Sequence, residues 1–175
     1  MFKETTNNPN LIITRKAIGV DADSIHSNIK QIIINNAINK SIETIFVSDR
    51  ALKDIQSIKD KYNVNIKNVV VKSGENSADD YIVQNADKFF LVITHDIPLS
   101  ERLIKKNVMI LNERGDHLTN DNIREYLSIR DVMNTMRELG IYEKKGIKHP
   151  ITQRDIKKFS DTFNALVLKY LWKNQ

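Results

Sequence analysis

The sequence predicts a three-layer α/β fold with a mostly parallel central sheet of about five strands, crossover helices on its two faces and a helical C-terminal segment. Short β-branched, apolar runs alternate with longer segments of helical period through the first two thirds of the chain. Each run is apolar nearly throughout, which is typical of strands that helices cover on both faces. Beyond residue 111 the strand pattern stops and only helical periodicity remains.

Five runs have the length and composition of buried strands. They cover 17–21, 42–47, 66–71, 89–94 and 108–111, and 11–14 could form an edge piece before the first. The usual order of such a sheet is 3-2-1-4-5, which makes the first and fourth strands neighbours.

The helices between the strands are placed by their apolar stripes and by the residues that begin them. The predicted starts are Ser24, Asp49 as the cap of a helix that begins near Ala51, Ser77, and the turn that contains Pro98. In the last third we expect three helices, over 122–129, 131–139 and 152–172.

The composition is that of one domain in a reducing compartment. Of the 175 residues 41% are hydrophobic, and we expect an N-terminal extension (1–16) followed by a single domain (17–175) with a candidate mobile loop at 142–150. The absence of cysteine excludes disulfides and thiolate zinc sites. Neither a signal-peptide layout nor an apolar run of bilayer length occurs, so we expect a cytoplasmic protein without a membrane partner.

Aspartates follow several of the predicted strands. Asp21 and Asp23 follow the first strand, Asp79 and Asp80 follow the third after a short loop, and Asp96 follows the fourth. If the first and fourth strands are neighbours, Asp21 and Asp96 would lie within about 5 Å of each other. Carboxylates that close repel each other unless a cation or a shared proton lies between them. Oxygen ligands of this kind suit Mg²⁺ or Mn²⁺, and the predicted metal ligands are Asp21, Asp23, Asp80 and Asp96.

Structural roles compete for some of these acids. Asp80 comes three residues after Ser77, the spacing of a capping box, and Asp79 would stabilise the same helix start. Asp96 could be the N-cap of the following helix. Asp21 is harder to explain in this way, because a carboxylate at the end of a buried strand is costly to desolvate unless a partner compensates it.

A series of motifs runs in order along most of the chain. They are V-D-A-D at 20–23, A-D-D-Y-I at 78–82, L-V-I-T-H-D-I-P-L at 91–99, N-E-R-G at 112–115, R-D-V-M at 130–133 and R-D at 154–155. In this order they resemble the YaiI/YqxD family of bacterial proteins. The chain departs from the family pattern where Ser24 and Ile25 replace Cys-Pro, where Glu113 replaces a proline, and around 143–146, where a T-G-G is missing.

The resemblance implies a PIN-like fold, and PIN-like domains are typically metal-dependent nucleases with a cluster of acids at the carboxyl edge of the sheet. Carried over to this chain, it implies catalytic roles for Asp21, Asp23, Asp79, Asp80 and Asp96. A divalent ion at these acids would allow a phosphodiester of RNA or DNA to approach them, with RNA the expected partner.

Contacts with nucleic acid are predicted for cationic side chains. Guanidinium groups pair bidentately with phosphate oxygens, and the stretch 143–158 carries six cations against two anions. The candidates are Arg114, Arg130, Arg137, Lys144 and Lys145. The alternative for each is an ordinary surface position or an intrachain salt bridge, as for Arg130 beside Asp131.

Two other functions are open at this point. The opening D-A-D is close to that of haloacid-dehalogenase-like phosphatases, in which Asp21 would be the nucleophile, although the later acids do not come in the expected order. A non-catalytic nucleic-acid-binding module is the other possibility, although aromatic residues are few and not interleaved with cations. No glycine-rich phosphate loop follows a strand, so we expect no nucleotide cofactor.

Overall fold

A six-stranded sheet forms the centre of the protein in a computed structural model that describes residues 15–72, 74, 77–141 and 150–174. The strands are β1 (Ala17–Asp21), β2 (Glu43–Ser48), β3 (Ile66–Val70), β4 (Phe89–Ile93), β5 (Met109–Leu111) and β6 (His117–Leu118). Their order is β3-β2-β1-β4-β5-β6, and all neighbours are parallel except β5 and β6. The predicted α/β class and the 3-2-1-4-5 order are confirmed.

Helices cover both faces of this sheet. They are α1 (Ser27–Lys40), α2 (Lys53–Tyr62), α3 (Ser77–Gln84), α4 (Ile97–Ile104), α5 (Ile123–Glu138) and α6 (Gln153–Lys173). Side chains of α1, α2 and α6 form one buried cluster with one face of the sheet, and side chains of α3, α4 and α5 form a second cluster with the other face. Successive side chains of β1 point to opposite faces of the sheet, so Ile18 and Val20 belong to the first cluster and Ala17 to the second. The three predicted layers are therefore present.

Two predictions about the last third were wrong. The strands do not stop at Leu111, because β6 pairs antiparallel with β5 after a tight turn. The segments predicted as two helices, 122–129 and 131–139, form the single helix α5, which contains no glycine or proline that could break it. The long final helix is present as predicted, and Thr152 caps it in a reciprocal capping box with Asp155.

Two predicted helix caps were also wrong. His26 is the N-cap of α1, whereas the hydroxyl of Ser24 donates to the carbonyl of Asp21 at 3.0 Å. Leu52 is the N-cap of α2, and its backbone N–H donates to the Asn68 side chain, so Asp49 is not a cap. In both loops a neighbouring element supplies the partner for the backbone, which a local sequence pattern does not record.

No helix among the described residues is long and apolar enough to cross a lipid bilayer. The predicted edge piece at 11–14 and nearly all of the predicted mobile loop at 142–150 lie outside the described residues.

Candidate functional site

Asp21 lies at the carboxyl end of β1, beside the end of β4. The register pairs Val20 with Ile93, so the next residues along the two strands, Asp21 and Thr94, are adjacent. The Thr94 hydroxyl donates to Asp21 Oδ2 at 2.7 Å, and Asp21 is only 5% exposed. Burial raises the pKa of Asp21 even though the hydrogen bond from Thr94 opposes the shift, and the charge of Asp96 raises it further.

Asp96 begins α4 directly beyond this pair. Its Oδ1 accepts a hydrogen bond from the Leu99 N–H at 2.7 Å, which confirms the N-cap role considered for it. The backbone N–H of Asp96 donates to the Thr94 hydroxyl at 3.0 Å. Thr94 therefore contacts both acids, and its hydroxyl fixes how Asp21 sits relative to the start of α4.

Asp79 is the third member of this group, which we call the acidic cluster (Asp21, Asp79 and Asp96). Burial and the negative charges of Asp96 and Asp21 raise the pKa of Asp79 to about 6. Its neighbour Asp80 instead forms a salt bridge with Arg102 of α4 at 2.8 Å and is 52% exposed at its side chain. Of the two acids at the start of α3, only Asp79 is coupled to the other members.

Asp23 points to a different contact. Its Oδ2 accepts a hydrogen bond from the Asp49 backbone N–H at 2.7 Å and so joins the loop after β1 to the end of β2. The Asp49 carboxylate is 3.8 Å from Arg50, and both side chains are more than half exposed. The structure thus brings together Asp21, Asp79 and Asp96, and it gives Asp23 and Asp80 partners outside the cluster.

The acidic cluster has the donor chemistry for a hard divalent cation but not a complete cage. Among the described residues, no three histidine or acidic side chains converge closely enough to hold an ion by themselves. Asp96 Oδ1 accepts the Leu99 N–H, and among the described residues no hydrogen bond is made to its other carboxylate oxygen, whereas the Asp21 carboxylate accepts from Thr94 and is also stabilised by the Ser24 hydroxyl. Mg²⁺ keeps several waters and commonly binds through one or two carboxylates plus substrate phosphate, so these residues fit that kind of site.

A cleft of about 520 Å³ lies beside the loops that follow β1 and β4, and no member of the acidic cluster is among its described lining residues. It is lined by Asp23, Ser24, Ile25, His26, His95, Glu113, Arg114, Pro150 and Ile151. His95 is held at its rim by a contact of 2.5 Å between Nδ1 and the Ser24 carbonyl. Glu113 accepts a hydrogen bond from the His26 backbone N–H at 3.1 Å, which ties the β5–β6 turn to the start of α1.

Arg114 is held in this cleft by a folded turn. The Asn112 side chain accepts hydrogen bonds from the backbone N–H groups of Arg114 and Asp116, at 3.0 and 2.9 Å. Gly115 has a φ of +84°, and a Cβ there would lie 2.5 Å from the backbone nitrogen of Phe159 in α6. The N-x-R-G motif therefore folds the turn against α6, and Arg114 pairs with Asp155 at 3.0 Å.

Arg130 and Arg137 are not among the residues that line the cleft. Arg130 pairs with the adjacent Asp131 at 3.5 Å, which confirms the salt-bridge alternative considered for it. Arg137 donates to the Asn134 side chain at 2.7 Å on the same helix. Lys144 and Lys145 lie outside the described residues.

Two residues of the site were missed in the sequence. Thr94 orients the cluster, and Arg102 removes Asp80 from it. Thr94 could have been recognised in the sequence, because it is a hydroxyl residue at the end of the predicted strand next to the one that ends in Asp21. Arg102 had none, because its partner depends on how α3 and α4 pack against each other.

Comparison with known sequences places the chain in a family. The profile described as "Uncharacterized BCR, YaiI/YqxD family" matches residues 19–169, a range that includes the acidic cluster and the N-x-R-G turn. The chain belongs to the YaiI/YqxD family. The resemblance drawn from the sequence motifs is therefore confirmed.

Relatives in the YaiI/YqxD family align along nearly their full length. The chain is 39% identical over 150 residues to a UPF0178 protein of Pseudoalteromonas translucida, covering 86% of this chain and 95% of the relative. It is 38% identical over 152 residues to a UPF0178 protein of Psychrobacter cryohalolentis, covering 86% and 98%. A UPF0178 protein of Yersinia pestis is 40% identical over 144 residues, covering 82% and 90%. No solved structure matches the chain.

Proposed function

We propose that the protein is a divalent-metal-dependent nuclease that hydrolyses phosphodiester bonds of RNA or DNA. The observation that carries the proposal is the acidic cluster at the carboxyl edge of the sheet, where Asp21 and Thr94 are joined at 2.7 Å and Asp96 follows two residues later. Ligand sites of open α/β sheets lie at this edge. The resemblance to PIN-like domains, whose nuclease sites are acidic clusters in the same position, agrees with it.

The roles of the three acids differ. Asp21 and Asp96 follow neighbouring strands at the same edge, and each carboxylate has lone pairs beyond those used by its hydrogen bonds, so they would hold Mg²⁺ or Mn²⁺ together with water and a phosphate oxygen. Such an ion neutralises the charge of the phosphodiester and lowers the pKa of a coordinated water. Asp79 is coupled to both acids and would complete the negative field that attracts the ion.

The cleft beside the cluster supplies a path for the nucleic acid. Arg114 lines this cleft, and its salt bridge with Asp155 holds the guanidinium in place before a nucleic acid binds. A backbone phosphate of a strand that runs through the cleft would meet Arg114, and the contact would position the strand without reading its sequence.

The test is a cleavage assay on labelled single- and double-stranded RNA and DNA with Mg²⁺ or Mn²⁺. We expect cleavage that EDTA abolishes, and a loss of at least about 100-fold in rate for Asp21→Asn, because the ion contributes several kcal/mol to the transition state. Asp49→Asn is the matched control, since it removes the same charge at the end of the neighbouring strand and outside the cluster.

Four results would contradict the proposal. Absence of cleavage with either ion on every substrate would do so, as would a rate that Asp21→Asn leaves unchanged. Binding of RNA that depends on salt but neither on EDTA nor on Asp21 would instead indicate a non-catalytic module. A phosphoryl group trapped on Asp21 would indicate a phosphatase.

A further inference from the structure

The opposite, amino edge of the sheet contains a separate cavity of about 200 Å³. It lies between the first residues of β4 and β5 and the last turns of α6. Besides two asparagines, it is lined by three cations, Arg15, Lys169 and Lys173, and by three side chains with apolar surface, Phe90, Met109 and Tyr170. No carboxylate is among the described lining residues.

Arg15 brings a buried positive charge to this cavity. It is only 9% exposed, and its Nη1 and Nη2 donate to the carbonyl oxygens of Asn107 and Lys106 at 2.6 and 2.7 Å. Its Nε is buried and has no hydrogen-bond partner among the described residues. The carboxylate of Asp87 is 4.0 Å away and 88% exposed at its side chain, so it compensates the charge weakly. A buried guanidinium with an unsatisfied donor and a weakly compensated charge costs free energy, and an anion in the adjoining cavity would offset the charge.

The wall beside Arg15 is flat and aromatic. The rings of Phe90 and Tyr170 stack with centroids 3.7 Å apart and planes 4° apart. Met109, whose thioether adapts to a neighbouring ring, lies on the adjacent strand. A planar apolar group of suitable size could pack against this wall.

We propose that this cavity binds a small organic anion with a flat apolar body, of the class of aromatic monocarboxylates. The volume is below that of pockets for drug-sized ligands, which limits the body to about one ring. The carboxylate would face the positive charges of Arg15, Lys169 and Lys173, and the ring would lie against Tyr170 and Met109. The site is independent of the proposed nuclease function, because it lies at the other edge of the sheet.

The test is an NMR titration of the full chain with para-fluorobenzoate and with its neutral analogue para-fluorobenzamide. We expect the acid to bind at least about tenfold more tightly than the amide, and the amide signals of Asn107, Met109 and Asn174 to shift. Lys169→Gln/Lys173→Gln should weaken binding of the acid by about tenfold. Lys53→Gln/Lys157→Gln removes the same charge from exposed positions near the starts of α2 and α6, toward the carboxyl edge, and should leave the affinity unchanged.

The proposal is overturned if neither compound binds, if acid and amide bind equally, or if the shifts lie outside the cavity. Equal effects of the two double variants would also overturn it, because they would indicate a general attraction of anions to a basic protein. All four lysines lie on helix surfaces, so the variants are expected to fold.

Discussion

The two edges of the same sheet have opposite electrostatic character. At the carboxyl edge three acids are packed so that burial, together with the charges of Asp96 and Asp21, raises the pKa of Asp79 to about 6. At the amino edge three cations, Arg15, Lys169 and Lys173, line a cavity without a carboxylate among its described residues. Neither group of like charges is fully compensated by opposite charges. At the carboxyl edge the salt bridge of Arg102 is made with Asp80, which is not a member of the cluster. At the amino edge the Asp87 carboxylate is 4.0 Å from Arg15.

Whether a charged side chain costs or contributes free energy therefore depends on both its burial and its partners. Charged side chains with close partners, such as Lys158 with Asp116, explain how local structure is held. Charges that are gathered and incompletely paired cost free energy unless a ligand of opposite sign compensates them. Variants at the two edges test how strongly the contacts and charges there affect the stability of the fold.

Gly115→Ala should disrupt the carboxyl edge most strongly. An alanine would have to adopt a φ of +84° and place its Cβ 2.5 Å from the Phe159 backbone nitrogen, so we expect a loss of about 3 kcal/mol in the free energy of unfolding. Gly140→Ala is the matched control: its φ is +70° but no heavy atom lies within 4 Å, so strain alone should cost about 1 kcal/mol. Urea denaturation measures both, and equal losses would show that contact with α6 is unimportant.

Asp116→Asn should cost about 2 kcal/mol, because hydrogen bonds to a charged group are lost. Burial opposes ionisation of Asp116, but hydrogen bonds from Lys158 and Asn112 outweigh it and hold its pKa below the ordinary 3.8. The stabilisation is therefore present above pH 3.8 and is lost as the pH falls through the lowered pKa. Asp87→Asn, at the amino edge, should change stability by less than about 0.5 kcal/mol. A larger effect at Asp87 would show that the charge of Arg15 is better compensated than its distances indicate.

Asp79→Asn should stabilise the protein. A carboxyl whose pKa is raised to about 6 in the folded state resists ionisation there, so it destabilises the fold as the pH rises from 3.8 to about 6 and above. After allowance for solvent screening we expect a gain of about 1 kcal/mol at about pH 8 and little change at about pH 4. Asp80→Asn, which loses a surface salt bridge, should not stabilise at either pH. If Asp80→Asn stabilised the protein and Asp79→Asn did not, Asp80 rather than Asp79 would be the acid that interacts with Asp21 and Asp96.

Much of the fold could be predicted from local pattern. The strand predicted over 17–21 is observed at Ala17–Asp21, because a short apolar run of this length suits a strand that helices cover on both faces. The strand β6 could not be predicted, since two residues, His117 and Leu118, carry no periodicity and pair only because the turn at Gly115 returns the chain to β5.

The site was predictable at its centre and less so around it. The position of Asp21 follows from the end of a strand, and its proximity to Asp96 follows from the strand order. The predicted metal ligand was Asp80 rather than Asp79, whereas in the structure Asp79 interacts with Asp21 and Asp96. Neighbours on a helix point about 100° apart, and only the packing of α3 decides which one turns inward. The Asp23 carboxylate instead accepts a hydrogen bond from the backbone N–H of Asp49 in another loop, and no sequence pattern predicts such a contact.

The most direct test of the acidic cluster is a calorimetric titration with Mn²⁺ of the full chain and of Asp21→Asn, Asp96→Asn and Asp49→Asn. We predict saturable binding by the unmodified protein and by Asp49→Asn, and a loss of affinity of at least about tenfold for the two cluster variants, since each removes one charged ligand. Absence of binding by the unmodified protein, or equal affinity in all four, would contradict the account.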